Sequence, residues 1–237
     1  KGELRIVGPN CIGIHSSESK VSFALSPGPL ETGNVAFLGQ SGGMTANFLG
    51  LAATRKIAIN KVVSYGNQID LRIEDYLDYL ADDEQVKLIA CYVEDIKDAD
   101  AFLRTLKKTT ARKPVILLKG GKTEAGSKAA ASHTGAMAGN YTLWAAAVRQ
   151  HGGLLVDDFD QLMHLVMMGA GEKTPRGRRV GFLGAGGGIS VLFSDLAVQA
   201  GLTLPDLGEA AQRKISEKIR GVNTSTINPG DLGAFGF

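Results

Sequence analysis

The amino-acid sequence predicts an α/β fold built around a doubly wound parallel sheet. Short apolar runs typical of strands alternate with longer segments that have helical periodicity. The apolar runs, such as KLIACYVE at residues 87–94, contain little polar alternation, which indicates strands covered on both faces. Glycine-rich turns follow the runs that end near residues 39 and 184, where the backbone can approach a ligand closely.

The predicted elements follow one another in a regular order up to residue 170. Strands are expected at residues 34–39, 61–66, 87–94, 114–121 and 153–157. Helices are expected at residues 42–55, 73–83, 98–112, 141–152 and 158–170. Such an alternation places successive strands in parallel, joined by right-handed crossovers.

Composition excludes several classes of protein. The 237 residues include 26 Lys or Arg and 24 Asp or Glu, and the net charge of +2 argues against a nucleic-acid-binding face. Two cysteines give neither a disulfide framework nor metal-ligand spacing, and no HExxH motif occurs, so we expect no bound metal. Because no apolar run could span a bilayer and the chain opens without a signal peptide, we expect a cytoplasmic protein without a membrane partner.

A change of composition divides the chain. EKTPRGRR at residues 172–179 is a polar linker with Pro and Gly, after which a strand, a glycine loop and a helix occur again. One strand and two helices cannot close a core alone, so residues 178–237 are expected to be the truncated start of a second domain. At the other end, LRIVGPNCIGIHSS is typical of the last strand and turn of a preceding unit.

The first glycine loop, GQSGG at residues 39–43, follows a strand and opens a helix. The N–H groups of a first helical turn bind anions, and Ser41 can add a hydroxyl, so a phosphate site is one interpretation. The same letters fit the G-x-S-x-G nucleophile elbow, which with His133 would make a serine hydrolase. A third interpretation is an N-capping serine in a tight turn. About forty residues precede Ser41, which leaves little room for the strands that precede such an elbow.

The second glycine loop, GAGGGIS at residues 184–190, does not complete a dinucleotide fingerprint. G-x-G-x-x-G from Gly184 would need glycine at position 189, which is Ile189. A nicotinamide-dependent oxidoreductase is therefore disfavoured, although a phosphate could still bind at the start of the helix.

Polar residues follow two further strands. Glu94 comes at the end of KLIACYVE, where a carboxylate points into the crevice in which such sheets bind ligands. Asn67 and Asp70, in SYGNQID, could line the same edge, although both are also common turn residues. Position alone slightly favours another interpretation, in which Glu94 is a solvated acid or the cap of the next helix.

His133 lies in SHTGAMAG, a segment of small residues after a strand that we interpret as a loop. Small neighbours let a partner surface approach closely, and a neutral imidazole is a good nucleophile near pH 7. Phosphoryl transfer needs a positioned nucleophile and electrostatic support for the transferred group. The other three histidines, His15, His151 and His164, have no such surroundings and are expected to be surface or packing residues.

Several segments together resemble the NDP-forming acyl-CoA synthetases of the succinyl-CoA synthetase superfamily. They include VSYGNQIDLRIEDYLDYLADD, KLIACYVEDIKDADAFL, KPVILLKGGKTEAGSKAAASHTGAMAGN and GGLLVDDFDQL. The likeness runs from about residue 5 to the end, with acetate–CoA ligase (ADP-forming) as a near relative. SHTGAMAG with the upstream KxGxTxxG is specific, whereas GQSGG alone is not.

This resemblance implies a reaction and roles for individual residues. The family converts acid, CoA and ATP to acyl-CoA, ADP and phosphate through an acyl phosphate and a phosphohistidine. By resemblance, His133 is the phosphohistidine and Glu94 orients it, while the helix that begins after Ser41, with Gly42 and Gly43, holds the phosphate. Further residues expected to line the site are Gln40, Asn67, Asp70, Lys119, Lys122, Thr134 and Gly135. For the two lysines, solvated side chains are the favoured interpretation, and secondary phosphate contacts are the alternative.

The resemblance also implies domains and partners. Residues 1–30 correspond to the tail of a Rossmann-type CoA-binding domain, residues 31–171 to a flavodoxin-like ligase domain, and residues 178–237 to the start of a second flavodoxin-like domain. ATP or ADP with Mg²⁺ would bind an ATP-grasp domain that this chain lacks, so the chain alone should not catalyse the overall reaction. The expected partners are a small carboxylic acid, CoA, and an ATP-grasp domain or subunit, in an oligomer. A non-catalytic acyl-CoA-sensing module of a fused acetyltransferase is the remaining alternative.

Overall fold

The computed structural model describes residues 4–23, 31–134, 140–171, 173, 175–219 and 224–233, without the side chains of residues 130–134. The chain folds as two compact units, residues 1–172 and residues 173–237. In the described part of the chain, no helix has the length and apolar character needed to cross a membrane. The described residues also contain no cluster of three or more His, Cys, Asp or Glu suited to bind a metal ion.

The first unit contains a seven-stranded sheet flanked by helices. Its strands are β1 (Gly13–Ser16), β2 (Val21–Ser22), β3 (Thr32–Gly39), β4 (Ile59–Ser64), β5 (Leu88–Val93), β6 (Val115–Lys119) and β7 (Leu154–Val156). Its helices are α1 (Gly42–Thr54), α2 (Ile73–Asp82), α3 (Ala99–Thr110), α4 (Glu124–Thr134), α5 (Tyr141–Gln150) and α6 (Phe159–Ala170). The five strands and five helices predicted up to residue 170 therefore all form, with ends that differ by at most two residues.

The sheet has the strand order β2-β1-β4-β3-β5-β6-β7. The strands from β3 to β7 pair in parallel, and their order is that of a flavodoxin-like sheet, which confirms the α/β class and the doubly wound arrangement. One edge of the sheet departs from the parallel pattern, because β1 pairs antiparallel with both β4 and β2. Residues 4–23, expected to be the tail of a preceding domain, thus extend the sheet of the first unit.

Alternate side chains of the buried strands pack into two hydrophobic cores, one on each face. On one face α1 and α6 cover Val35, Phe37 and Ile116. On the other face α2, α3 and α5 cover Ala36, Leu38 and neighbouring residues. Burial on both faces explains why these strands are almost continuously apolar in sequence. The outcome is a three-layer unit in which the carboxyl ends of the parallel strands share one edge.

Side-chain caps define where most of these helices begin. A side-chain oxygen of the capping residue accepts a hydrogen bond from the N–H three residues later in α1, α3, α5 and α6; the caps are Ser41, Asp98, Asn140 and Asp158. The segment before SHTGAMAG differs from the prediction, since residues 124–134 form α4 and not a loop. Glu, Lys and four Ala among these residues favour a helix despite one Gly and the small side chains.

The second unit contains fewer elements. Strands β8 (Leu183–Gly184) and β9 (Gly230–Asp231) pair in parallel, and helices α7 (Gly187–Gln199) and α8 (Glu209–Ser216) lie between them in the chain. The glycine loop before α7 is held by Asp231, whose Oδ1 accepts from the Gly186 N–H at 2.9 Å. The predicted strand, glycine loop and helix therefore occur in this order.

Candidate functional site

The candidate site is a crevice at the carboxyl ends of β3 and β5. These neighbouring strands lie where the strand order of the sheet reverses, which is where open α/β sheets bind ligands. A pocket of about 230 Å³ opens there. It is lined by residues that follow β3, β4 and β5 and by a segment before β1: Asn10, Cys11, Ile12, Gln40, Ser41, Gly42, Gly43, Gly66, Asn67 and Glu94.

One wall of the pocket is the N-terminus of α1. Ser41 is the N-cap, and its Oγ accepts a hydrogen bond from the Met44 N–H at 3.4 Å. The N–H groups of Gly42 and Gly43 belong to the first turn, where no carbonyl of the same helix is available to them. Together with the positive end of the helix dipole, they suit a bound phosphate.

The backbone of Ser41 is not that of a nucleophile elbow. Its φ of −92° and ψ of 129° are ordinary extended values, whereas the serine of such an elbow lies on a sharp, strained turn. The hydroxyl is also engaged as a helix cap. This geometry favours the capping and phosphate-binding interpretations of GQSGG over the hydrolase.

Gln40 joins the ends of β3 and β5. Its own N–H donates to the Tyr92 carbonyl at 3.0 Å, and its Oε1 accepts from the N–H groups of Glu94 at 2.7 Å and Asp95 at 2.9 Å. The residue is buried, with 6% of its surface exposed. A side chain predicted only to line the site therefore fixes the main chain that carries Glu94.

Glu94 lines this crevice and has a carboxylate oxygen without a partner in the described part of the chain. Its Oε2 is buried and has no hydrogen-bond partner among the described residues. Burial, followed by the charge of Glu94, raises the pKa of the neighbouring Tyr92 to about 12. Tyr92 thus remains a neutral phenol at neutral pH, and the carboxylate can accept an N–H from an incoming group.

Gly120 makes room for this arrangement. A Cβ at position 120 would lie 2.5 Å from the Tyr92 hydroxyl oxygen and 3.3 Å from the Glu94 Cγ. Any side chain there would displace one of the two residues.

Asn67 lies in the pocket, but Asp70 does not. The Asn67 Oδ1 accepts from the Asn10 Nδ2 at 3.4 Å. Asp70 instead binds Arg5 through both carboxylate oxygens and accepts from the Ile6 N–H at 2.7 Å, and the hydrogen bond with Arg5 lowers the pKa of Asp70. Asp70 is thus turned away from the site.

The two lysines considered as phosphate contacts also lie outside the pocket. The Lys119 Nζ donates to the carbonyls of Glu94, at 2.8 Å, and Gly120, and burial lowers the pKa of this ammonium group. The Lys122 Nζ donates to the carbonyls of Val156 at 3.1 Å and Asp157 at 2.8 Å. Lys122 also pairs with the Asp157 carboxylate, whose Oδ1 lies 3.5 Å from the Nζ. Both ammonium groups are therefore engaged outside the pocket, and neither lysine is available to a phosphate in it.

The remaining predicted residues belong to α4 and the segment after it. His133 and Thr134 form the end of α4, and their side chains lie outside the described residues. Gly135 is also outside the described residues. The meeting of His133 with Glu94 therefore stays a prediction.

Sequence reasoning missed the wall formed by Asn10, Cys11 and Ile12. Antiparallel pairing of β1 with β4 brings this segment over the pocket, and the Ile12 N–H lies 3.3 Å from the Ser64 Oγ. Ile12 Cγ2 lies 3.0 Å from the position of a Cβ on Gly42, at the start of α1. The Gly-Pro-Asn turn at residues 8–10 was the available signal, and it was assigned to a preceding unit.

Comparison with known proteins supports this architecture. The alpha subunit of acetate–CoA ligase (ADP-forming) II from Pyrococcus furiosus is 40% identical over 217 residues, which are 92% of this chain and 46% of that subunit. The 4-hydroxybutyrate–CoA ligase (ADP-forming) of Nitrosopumilus maritimus is 32% identical, over 98% of this chain and 34% of its own length. The chain thus spans about half or less of the curated relatives that it matches.

A solved structure gives the same result for the fold. Dinucleotide-forming acetyl-coenzyme A synthetase 1 of Ca. Korarchaeum cryptofilum, in complex with phosphate and ADP, superposes with a TM-score of 0.84 at 31% identity. The match covers 98% of this chain and 50% of that one. The sequence model of the succinyl-CoA ligase-like flavodoxin domain matches residues 32–168, more than half of the chain. The chain therefore belongs to the succinyl-CoA ligase-like flavodoxin domain family, as its resemblance to the acyl-CoA synthetases implied.

Proposed function

We propose that this chain is the phosphohistidine-bearing part of an ADP-forming acyl-CoA synthetase. The complete enzyme would convert a carboxylic acid, CoA and ATP to acyl-CoA, ADP and phosphate. Relatives named as ADP-forming ligases of acetate and of 4-hydroxybutyrate support this reaction class. Family membership does not assign roles to individual residues, but the residues that line the crevice support specific ones.

The observation that carries the proposal is that the Glu94 Oε2 is buried without a hydrogen-bond partner among the described residues, while Glu94 lines the same pocket as the N-terminus of α1. A buried carboxylate oxygen without a donor is costly unless a partner arrives during function. The two first-turn amides, of Gly42 and Gly43, belong to residues that line the same pocket and suit an anion. A phosphorylated imidazole satisfies both, since its ring N–H can bind Glu94 while its phosphoryl group binds the amides of Gly42 and Gly43.

His133 is the nucleophile in this proposal. One ring nitrogen attacks the γ-phosphorus of ATP, the bond to the bridging oxygen breaks, and ADP leaves. In the crevice, a carboxylate oxygen of the acid substrate attacks the same phosphorus, the P–N bond breaks, and an acyl phosphate and neutral His133 result. The thiolate of CoA then attacks the acyl carbon, and the C–O bond to the phosphoryl group breaks. The phosphate released is bound by the N-terminus of α1 before it leaves.

Glu94 acts by orienting the ring. A hydrogen bond from one ring N–H to its carboxylate fixes the tautomer and leaves the other nitrogen free to attack. Gln40 supports this role, because it holds the main-chain N–H of Glu94 in place.

The remaining parts of the enzyme belong to the proposal as well. Residues 1–30 would derive from a CoA-binding domain, residues 31–171 form the ligase domain, and residues 178–237 begin a second flavodoxin-like domain. ATP or ADP with Mg²⁺ would bind an ATP-grasp domain or subunit, in a cytoplasmic oligomer. Relatives described as alpha subunits support a division between separate chains.

The test uses the full-length enzyme, with its ATP-grasp part, and γ-labelled ATP. Mass spectrometry should locate a base-stable, acid-labile phosphate on His133, and His133→Ala should lose both the label and acyl-CoA formation. Glu94→Gln should retain the fold but lower the rate of phosphoryl transfer by about 100-fold, as expected for the loss of an orienting carboxylate. A His133→Ala enzyme that still forms acyl-CoA would refute the proposal.

The same preparation separates the alternatives. A serine hydrolase would turn over esters and would be labelled at Ser41 by a fluorophosphonate. An acyl-CoA-sensing module would bind acyl-CoA without phosphorylation of His133.

A further inference from the structure

Tyr92 and Glu94 belong to the same face of the sheet, at the end of β5. Side chains two residues apart along a strand point to the same side, and Glu94 directly follows the last residue of β5. The Tyr92 ring packs against the hydrophobic core that α1 and α6 cover. Packing thus fixes the phenol ring beside the residue that carries the carboxylate of the crevice.

Gly120, just after the neighbouring strand β6, shows how close the two groups are. Its N–H donates to the Val93 carbonyl at 2.8 Å. A Cβ at position 120 would lie 2.5 Å from the Tyr92 hydroxyl oxygen and 3.3 Å from the Glu94 Cγ, so both atoms surround one point. Burial, then the charge of Glu94 and then hydrogen bonding with its carboxylate, raise the pKa of Tyr92 to about 12. At neutral pH the phenol is therefore a donor and the carboxylate an acceptor.

The main chain of both residues is held from two sides. The Tyr92 carbonyl accepts from the Gln40 N–H at 3.0 Å and from the Tyr65 hydroxyl at 3.2 Å. The Glu94 carbonyl accepts from the Lys119 Nζ at 2.8 Å. With this main chain fixed, rotation within the Glu94 side chain is the freedom that remains, and the last torsion of a glutamate is soft. A donor bound to one carboxylate oxygen removes that freedom and determines where the other oxygen points.

We propose that the Tyr92 hydroxyl donates to the Glu94 Oε1 and thereby presents Oε2 to the imidazole of His133. Oε2 is the oxygen that is buried without a hydrogen-bond partner among the described residues. The inference rests on the proposed function, which brings a ring N–H of His133 to this oxygen. Tyr92 is a positioning residue, since it acts through Glu94 and touches no reacting atom. Without its hydroxyl, the carboxylate adopts more orientations and holds the ring in the productive one less often, which slows phosphoryl transfer and leaves substrate binding unchanged.

The test follows a single turnover of the full-length enzyme with its ATP-grasp part. γ-Labelled ATP loads His133, free nucleotide is removed, and loss of the label is measured after addition of the acid and CoA. Tyr92→Phe removes only the hydroxyl and keeps the packed ring. This variant should load to the wild-type extent but lose the label about tenfold more slowly, as expected when a charged group loses one hydrogen bond. In steady state, KM for the acid and CoA should stay within twofold of wild type.

A double variant tests whether Tyr92 acts through Glu94. Glu94→Gln should slow loss of the label about 100-fold. Adding Tyr92→Phe to Glu94→Gln should change that rate by less than twofold, because the carboxylate that the hydroxyl positions is already absent. A double variant that is tenfold slower than Glu94→Gln would show that Tyr92 acts independently, and the proposed role would be wrong.

Two other tyrosines provide matched controls. Tyr76→Phe removes a buried hydroxyl that has no partner among the described residues, and Tyr79→Phe removes one from a side chain that is 62% exposed. Neither should change the rate at which the label is lost. The role of Tyr92 is refuted if Tyr92→Phe transfers the label at the wild-type rate, if only KM changes, or if the slower transfer follows a lower melting temperature. A wild-type enzyme that takes no label on His133 would remove the proposed function itself, whereas normal loading with unaffected transfer in Tyr92→Phe would remove only this inference.

Discussion

Gln40 offers the sharpest test of how the crevice is built. Gln40→Leu has nearly the same size but removes the oxygen that accepts two main-chain N–H groups, those of Glu94 and Asp95. A buried donor left without an acceptor costs about 1–3 kcal/mol. Because these amides are only partly buried, the low end applies to each, and together the two amount to about 2–3 kcal/mol. For a unit of this size the melting temperature should fall by roughly 5–10 °C.

Gln40→Glu separates stability from activity. A carboxylate accepts both N–H bonds, so the free energy of unfolding should stay within about 1 kcal/mol of wild type. Its charge beside Glu94 and the phosphate site should nevertheless lower kcat about tenfold, or roughly 1.4 kcal/mol. Thermal and urea denaturation of the two variants, with acyl-CoA formation by the full-length enzyme, provide the data. If Gln40→Leu melts at the wild-type temperature, Gln40 does not hold the two strand ends together.

Two further predictions concern a close contact and a buried histidine. Gly120→Ala should lower kcat about tenfold in steady-state kinetics, because its Cβ would lie 2.5 Å from the Tyr92 hydroxyl oxygen. Gly50→Ala, whose Cβ would have no neighbour within 4 Å, should raise the free energy of unfolding by about 0.5–1 kcal/mol in denaturation curves. Burial lowers the pKa of His15, so the unfolded state binds the proton first and wild-type stability should fall as pH drops below about 6.5. His15→Gln should flatten this dependence in denaturation curves at pH 7.5 and 5.5, and an unchanged slope would contradict it.

Sequence analysis was sufficient for site residues that lie directly at the end of a strand. Because the carboxyl ends of parallel strands share one edge, the alternation of strands and helices was enough to place Ser41 and Glu94 near each other, and the structure brings both into one pocket. The order of strands within the sheet was less accessible from the sequence, since it depends on which strands pair.

The misplaced residues share a physical cause, which is that sequence position does not determine where a side chain points. Asp70 follows the right strand, but Arg5, 65 residues earlier, binds its carboxylate. Lys119 and Lys122 were expected to line the site, yet nearby carbonyls and aromatic rings bind their ammonium groups. The pocket wall formed by Asn10, Cys11 and Ile12 depends on antiparallel pairing between β1 and β4. These strands lie about fifty residues apart in the chain, and no local sequence pattern predicts their pairing.

The hydrogen-bonding environment of Glu94 is that of a binding-site residue and not that of a structural ion pair. Its neighbour Lys119 is a cation close enough to bind the Glu94 carbonyl, yet it is not bonded to the Glu94 carboxylate. The donors at the end of β5 likewise go to Gln40, so the hydrogen bonds of the described residues fix the position of Glu94 and leave its buried oxygen without a partner among them. A buried carboxylate oxygen without a donor costs about 1–3 kcal/mol. The cost is consistent with a carboxylate that must remain available to a group that comes and goes.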